Sequence, residues 1–166
     1  SSIGDINHFN ISKVTDTNSM FYNCKLLSEL NLSNWDGASI TECSGMFSGC
    51  SNLQKVDLSN FTASKVSYAT NLFYNCSKLR EVNLQNYAPV GARDIGGMFS
   101  GCSSLQKIDV RSLEFSKIGG RTQVFKGVPT NCLIIVKNDT EREAIRYTYG
   151  HTNIKTLEEY QAEGGV

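Results

Sequence analysis

Four cysteines, Cys24, Cys50, Cys76 and Cys102, recur at a constant step of 26 residues, and two more, Cys43 and Cys132, lie off that count. Thiols at fixed spacing could serve metal ligation or disulfide formation. Metal sites draw two cysteines from a short loop such as C-x-x-C, with further ligands at converging angles, and the chain offers neither. If successive cysteines stack on neighbouring coils, their Cα atoms lie ~4.8 Å apart, inside the range of a disulfide, but parallel Cβ vectors keep the sulfurs near the backbone separation. The column is therefore read as buried thiols that pack as small apolar groups. His8 and His151 stand at opposite ends of the array, so neither a His-based triad nor a two-His metal site can assemble. Asp57 and Asp109 are two coils apart with Asn83 between them, and the Gly96-Gly97 and Gly119-Gly120 pairs lack the context of a phosphate loop. No catalytic residue, cofactor or metal is expected, and the chain reads as non-enzymatic.

The elements that position these residues follow from the same period. At a step of 26 the chain aligns Phe21, Phe47, Phe73 and Phe99, ended by Phe125; then Leu27, Leu53, Leu79 and Leu105; then Leu30, Val56, Val82 and Ile108. Phe9, Trp35, Phe61, Tyr87 and Leu113 close the unit. Repetition at this length means a stacked array in which each unit buries its apolar positions against its neighbours. The M-F-x-x-C-x-x-L spacing predicts one face of a short helical turn, and Leu30 and Leu32 alternate with polar residues as in a half-buried strand. Each coil returns the chain in the same direction, so the strands are expected to be parallel. The words FYNC (at Phe21 and Phe73) and FSGC (at Phe47 and Phe99) alternate, which implies growth by copying a 52-residue pair. The same alternation places Glu29, Lys55, Glu81 and Lys107 in one outward column, where opposite charges would meet at every step for roughly 0.2–1 kcal/mol each.

The L-x-x-L-x-L pattern at Leu27 to Leu32, and its three copies, resembles a leucine-rich repeat. More closely, C-x-x-L-x-x-L-x-L-S-N-W at Cys24 to Trp35 and K-V-x(5)-M-F at Lys13 to Phe21 resemble the 26-residue BspA-like leucine-rich repeats of bacterial surface proteins and lipoproteins. The resemblance runs from about Ile3 to Val128 and departs at Tyr87 to Arg93, where Tyr-Ala-Pro-Val-Gly-Ala-Arg replaces a Ser/Asn-rich return. It implies an α/β fold: a leucine-rich-repeat-like solenoid, with 26-residue coils of short helix plus parallel β-strand and an α/β C-terminal cap. It also implies an extracellular or cell-surface location and adhesion to a protein or host matrix component. Residues 1–128 are assigned to the array, whose first unit is incomplete, and 129–166 to the capping segment. In that segment Leu133 to Val136 reads as a strand, Thr140-Glu141-Arg142-Glu143 as a capping box opening a helix stopped by Gly150, and Thr156 to Glu159 as a second box. The open first coil leads to an expectation of fraying or end-to-end self-association.

Sixteen basic residues balance sixteen acidic ones without a basic run, which argues against nucleic-acid binding. The longest aliphatic run, Leu133 to Val136, is far short of the roughly 20 residues of a membrane-spanning helix. No signal peptide is visible in this chain. The candidate binding surface is the outward strand face: Glu29, Asn31, Ser33; Lys55, Asp57, Ser59; Glu81, Asn83, Gln85; and Lys107, Asp109, Arg111. Such a face offers only a few hundred Å², against about 800 Å² per partner in a standard interface, and it carries no aromatic residue of its own. The alternative is a structural spacer without a ligand.

Overall fold

The computed structural model describes residues 6, 8–58, 60–89 and 91–165. The chain forms a parallel-strand solenoid of about four turns with few helices. The coils contribute β1 (Glu29–Asn31), β2 (Lys55–Asp57), β3 (Glu81–Asn83) and β4 (Lys107–Asp109), followed by β5 (Leu133–Val136), α1 (Asp139–Tyr149), β6 (Ile154–Thr156) and α2 (Leu157–Ala162). All strand pairs are parallel and fall in two sheets, β1-β2 and β3-β4-β5-β6. A second column of parallel bridges, Asp16–Glu42–Tyr68–Asp94–Gly120, ties the coils on another side.

The expected short helix in the M-F-x-x-C segment is not formed. Its place is taken by a ribbon of turns whose amides alternate in destination. Met20, Tyr22 and Cys24 N–H close local turns onto Thr17, Ser19 and Phe21, whereas Ser19, Phe21 and Asn23 N–H cross to Ser44, Met46 and Ser48 C=O of the next coil at 2.8–3.0 Å. A helix would consume all of these donors within the coil. What prevents it is a left-handed backbone at two positions four residues apart: Ser19 (φ 57°) and Asn23 (55°), then Gly45 (62°) and Gly49 (77°), Asn71 and Asn75 (both 57°), and Gly97 (65°) and Gly101 (79°).

These positions also explain the alternating words. Asn23 and Asn75 point their amides at the glycine one coil on, and a Cβ built on Gly49 or Gly101 would collide with the Asn Oδ1 and lie 3.1 Å from its Cγ. Asn71 stands in the same relation to Gly97, where the Tyr74 ring is 4.0 Å from the Cβ position. A side chain at the glycine would have to displace the exposed Asn amide of the coil before it, so glycine is the residue that follows an asparagine here without adjustment. The alternation within the 52-residue pair is thus sterically favoured.

The interior is a ladder of phenylalanines. Phe21, Phe47, Phe73, Phe99 and Phe125 stack at centroid separations of 5.6, 5.1, 5.7 and 5.7 Å with ring planes within 9°. Trp35, Phe61, Tyr87 and Leu113 are buried beside it, and Tyr87 keeps its place despite the irregular return that follows, stacking on Phe61 and pairing its hydroxyl with Cys43 Sγ at 3.4 Å. The first member of that column departs from expectation: Phe9 is 55% exposed and packs on His8. Residues 1–5 and 7, the rest of the incomplete first unit, lie outside the described residues. The first coil exposes Met20 (42%) and Leu26 (75%), whereas Met46 and Met98 are fully buried under neighbouring coils.

Beyond the repeats, β5 extends the sheet as its sequence predicts, and β6 joins it as an element the sequence did not announce. The helix α1 is capped by Asn138, which accepts from Glu141 N–H, rather than by Thr140; Gly150 (φ 71°) ends it. Thr156 and Glu159 form the reciprocal capping box of α2. Tyr149 meets Phe125 edge-on at 5.1 Å, and His151 lies 5.3 Å from the same ring, so this segment covers the last phenylalanine of the ladder. The buried Glu141 carboxylate accepts from Ser116 N–H (3.0 Å) and Oγ (2.6 Å), fastening α1 to the coil of β4.

His151 is 2% exposed, its ring packed against Phe125, with the Tyr149 backbone as its one polar neighbour among the described residues. Burial lowers its pKa below the ordinary value. The unfolded chain therefore binds the proton more readily, and stability present above the unfolded pKa of about 6.5 is lost as pH falls below it, by at most about 1.4 kcal/mol per pH unit. Urea titrations between pH 8 and 5 are expected to show this limb in the wild type and not in His151→Leu. Parallel pH curves for the two proteins would contradict it.

Candidate binding surface

Each strand of the outward face has only three residues, and the chain turns immediately after it. The side chain at the third position makes that turn: Asn31 Oδ1 accepts from Ser33 N–H (2.9 Å), Asn83 Oδ1 from Gln85 N–H (2.9 Å), and Asp109 Oδ1 from Arg111 N–H (3.2 Å). These are Asx turns, so Asn31, Asn83 and Asp109 serve the backbone as well as the surface. The next column does likewise, with Asn60 Nδ2 donating to Ser33 C=O and Ser112 Oγ to Leu84 C=O. Arg111 is anchored twice, with Nη2 2.8 Å from Asp109 Oδ2 and 2.6 Å from Gln85 Oε1.

The charge column keeps the expected register, Glu29 beside Lys55 and Glu81 beside Lys107, but no ion pair joins either couple among the described residues. Lys107 turns instead to α2, donating to Tyr160 OH at 3.0 Å with its ammonium 4.8 Å from the ring centroid. The step from Lys55 to Glu81 is not a strand pair at all. The charge ladder therefore does not account for the 52-residue unit, and Lys55→Glu is expected to shift stability by no more than about 0.5 kcal/mol in urea titrations. A loss above about 1 kcal/mol at low salt, relieved at high salt, would restore the ladder.

The face is a groove with a cavity volume of about 780 Å³. Its sides bring together Lys55, Asp57, Glu81, Asn83, Gln85, Lys107, Asp109 and Arg111. Glu29, Asn31 and Ser33 lie on β1 and its turn, outside the groove, and Ser59 falls outside the described residues. What sequence reasoning missed is the end wall, Leu157, Tyr160 and Gln161 of α2, together with Gln54 and Arg80 on the lips. A face devoid of aromatics in its own repeats thus acquires one from the C-terminal helix. The capping box at Thr156 foretold a helix there, but nothing local foretells where it docks.

The periodic cysteines belong to the core. Cys50, Cys76 and Cys102 each donate to the C=O of the phenylalanine 29 residues earlier, at 3.0–3.1 Å, and all six cysteines are free thiols. Burial pushes up the pKa values of the five buried thiols, to about 11 for Cys50, about 12 for Cys43, Cys102 and Cys132, and upward for Cys76 as well. Only Cys24, on the first coil, is partly exposed. Native protein treated with dithionitrobenzoate is expected to release one equivalent quickly and five more on unfolding. Rapid reaction of two or more would show that the column is not sealed. Among the described residues no group of three or more His, Cys, Asp or Glu could hold a metal, and no helix is long and apolar enough to cross a membrane.

A family model described as "Mycoplasma protein of unknown function, DUF285" matches residues 1–113. No curated protein and no solved structure matches the chain.

Proposed function

We propose that this chain, which belongs to the DUF285 family, is a non-enzymatic binding module of a bacterial cell surface that presents its strand-face groove to a protein or host matrix component. The observation that carries this reading is the groove itself, a cavity of about 780 Å³ walled on one side by repeat strands and at one end by Tyr160. An aromatic at the end of a charged cleft supplies an anchor that a flat mixed-charge face lacks. The BspA-like pattern of the repeats supports a surface location and adhesion, with α1 and α2 as the C-terminal cap of a leucine-rich-repeat-like array. One observation favours the spacer reading: Arg111, Asp109 and Gln85 are already bonded to one another, and Asn31 and Asn83 to their own turns.

The test is solid-phase binding of the purified chain to a panel of immobilised matrix proteins, collagen, laminin and fibronectin, at low and high salt. The wild type is expected to bind at least one of them in a salt-sensitive manner, and Lys55→Glu/Lys107→Glu, matched to it in melting temperature, to lose at least tenfold in affinity. Equal binding by the two proteins would move the binding surface away from the groove, and binding by neither would favour the spacer.

A further inference from the structure

The Asn and Gly of FYNC and FSGC have a steric account, but the Tyr and Ser beside them do not. That column reads Tyr22, Ser48, Tyr74, Ser100 and Lys126. Tyr22 is 57% and Tyr74 40% exposed, whereas Ser48 and Ser100 are buried, at 6% and 5%. The next position follows suit: Asn23 and Asn75 are exposed, and Gly49 and Gly101, which take their place in the even coils, are half-buried. The turn ribbon is therefore corrugated, with ridges on the odd coils and troughs on the even ones, and the exposed Lys126 continues the row on the fifth coil. Successive ridges are two coils apart, ~10 Å. The phenylalanine ladder beneath keeps the same rhythm, with steps of 5.6 Å from Phe21 to Phe47 and 5.1 Å from Phe47 to Phe73.

We infer that this face binds a neutral, unbranched β-1,4-linked glycan laid along the array, with every second sugar ring stacked on a tyrosine. In such a chain neighbouring rings are flipped, so that one ring face recurs once per disaccharide, and an extended disaccharide is as long as two coil steps. A tyrosine on every coil would meet rings of both orientations. One on every second coil meets the same face each time, and the trough between leaves room for the intervening ring. The C–H groups of a sugar face are drawn to the negative face of an aromatic ring, and tyrosine offers that contact at little cost in conformational entropy. Asn23 and Asn75 stand beside the two tyrosines with amides suited to sugar hydroxyls. Asn31 and Asn83 spend their side chains on turns of the strand face, whereas those of Asn23 and Asn75 make no hydrogen bond among the described residues. The column from Tyr22 to Ser100 carries no charge, which selects a neutral chain, and this surface shares no residue with the groove.

The experiment titrates the full chain with cellohexaose, chitohexaose, maltohexaose and the disaccharide cellobiose, followed by calorimetry and by amide chemical shifts. At least one of the two β-1,4-linked hexasaccharides is expected to bind and to shift Tyr22, Asn23, Tyr74 and Asn75; a difference between them reads the contribution of the acetamido groups. Maltohexaose, whose α-linkages curl the chain, and cellobiose, too short to span two ridges, are expected to bind at least tenfold more weakly. Tyr22→Ser/Tyr74→Ser gives both ridges the residue of the troughs and is expected to lose at least tenfold in affinity. Tyr74→Trp, which keeps an aromatic face, is expected to bind within about twofold of the wild type, as is the groove variant Lys55→Glu/Lys107→Glu. No binding of either β-1,4-linked chain at millimolar sugar, equal affinity for maltohexaose or cellobiose, undiminished binding by Tyr22→Ser/Tyr74→Ser, or shifts centred on the strand face would each overturn the inference. None of these results bears on matrix-protein binding at the groove, which the earlier test reads separately.

Discussion

Gly101→Asn is expected to lower stability by about 2–3 kcal/mol, an overpacking cost, which for a chain of this size is a fall in melting temperature of roughly 4–12 °C. Backbone conformation is not the cause, because asparagine occupies the left-handed region with little penalty and Asn75 does so in the neighbouring coil at φ 57°. The cause is the Asn75 amide, which already fills the space where the new Cβ would lie. The compensating change is therefore specific. In Asn75→Gly/Gly101→Asn the column that starts at Asn23 and ends at Gly127 would read Asn, Gly, Gly, Asn, Gly, with no asparagine above another, and most of the lost stability is expected to return. Urea titration of the two single variants and the double closes the cycle, with a coupling energy of at least about 1.5 kcal/mol. Additivity within about 0.5 kcal/mol would mean that the alternation of FYNC and FSGC is inherited without being enforced.

Phe73→Ala is expected to cost about 3–5 kcal/mol, the usual range for deleting a buried aromatic ring. Phe73 is fully buried at the centre of the ladder, 5.1 Å from Phe47 and 5.7 Å from Phe99, with rings nearly parallel on both sides. Because a solenoid is held together by nearest-neighbour interfaces, the loss falls on both interfaces of one coil. The strands β2 and β3 carry no ladder pairing with each other, so coils one and two are expected to uncouple first, giving early exchange of amides before Leu58 ahead of those after Glu81. Phe73→Leu keeps most of the volume and is expected to retain more than half of the lost stability. A cost below about 1 kcal/mol for Phe73→Ala, or uniform exchange along the chain, would contradict the ladder as the spine of the fold.

The period of 26 and the residues that carry it made the architecture legible. Phe21 to Phe99, Leu53 to Leu105 and the Val56 and Ile108 positions are buried as their columns require, and the strand triplets fall where alternation places them. The helix was misplaced because the spacing of Met20, Cys24 and Leu27 suits a helix and a turn ribbon equally. What separates the two is the left-handed pair at Ser19 and Asn23, which looks like ordinary polar sequence until Gly45 and Gly49 are set beside it. Charge was credited with an alternation that belongs to Asn and Gly, since Glu29 and Lys55 alternate in step with them. The groove was half legible. Its lips follow from the repeat, but its end wall comes from Tyr160, more than fifty positions beyond Lys107, and the break in pairing between β2 and β3 has no signature, because Gln54-Lys55-Val56-Asp57 and Gln106-Lys107-Ile108-Asp109 are nearly the same words. One regularity does emerge: the paired steps β1-β2 and β3-β4 join a glutamate strand to a lysine strand within a 52-residue pair, and the unpaired step lies between pairs.

The most direct measurement is a hydrogen-exchange footprint of the chain bound to whichever matrix protein it captures. Protection concentrated at Lys55 to Leu58, Glu81 to Gln85, Lys107 to Arg111 and the turn of α2 around Tyr160 is the predicted result. Protection confined to the turn ribbon around Tyr22 and Tyr74, with the strand face exchanging as in the free chain, would contradict the assignment of the groove as the binding surface.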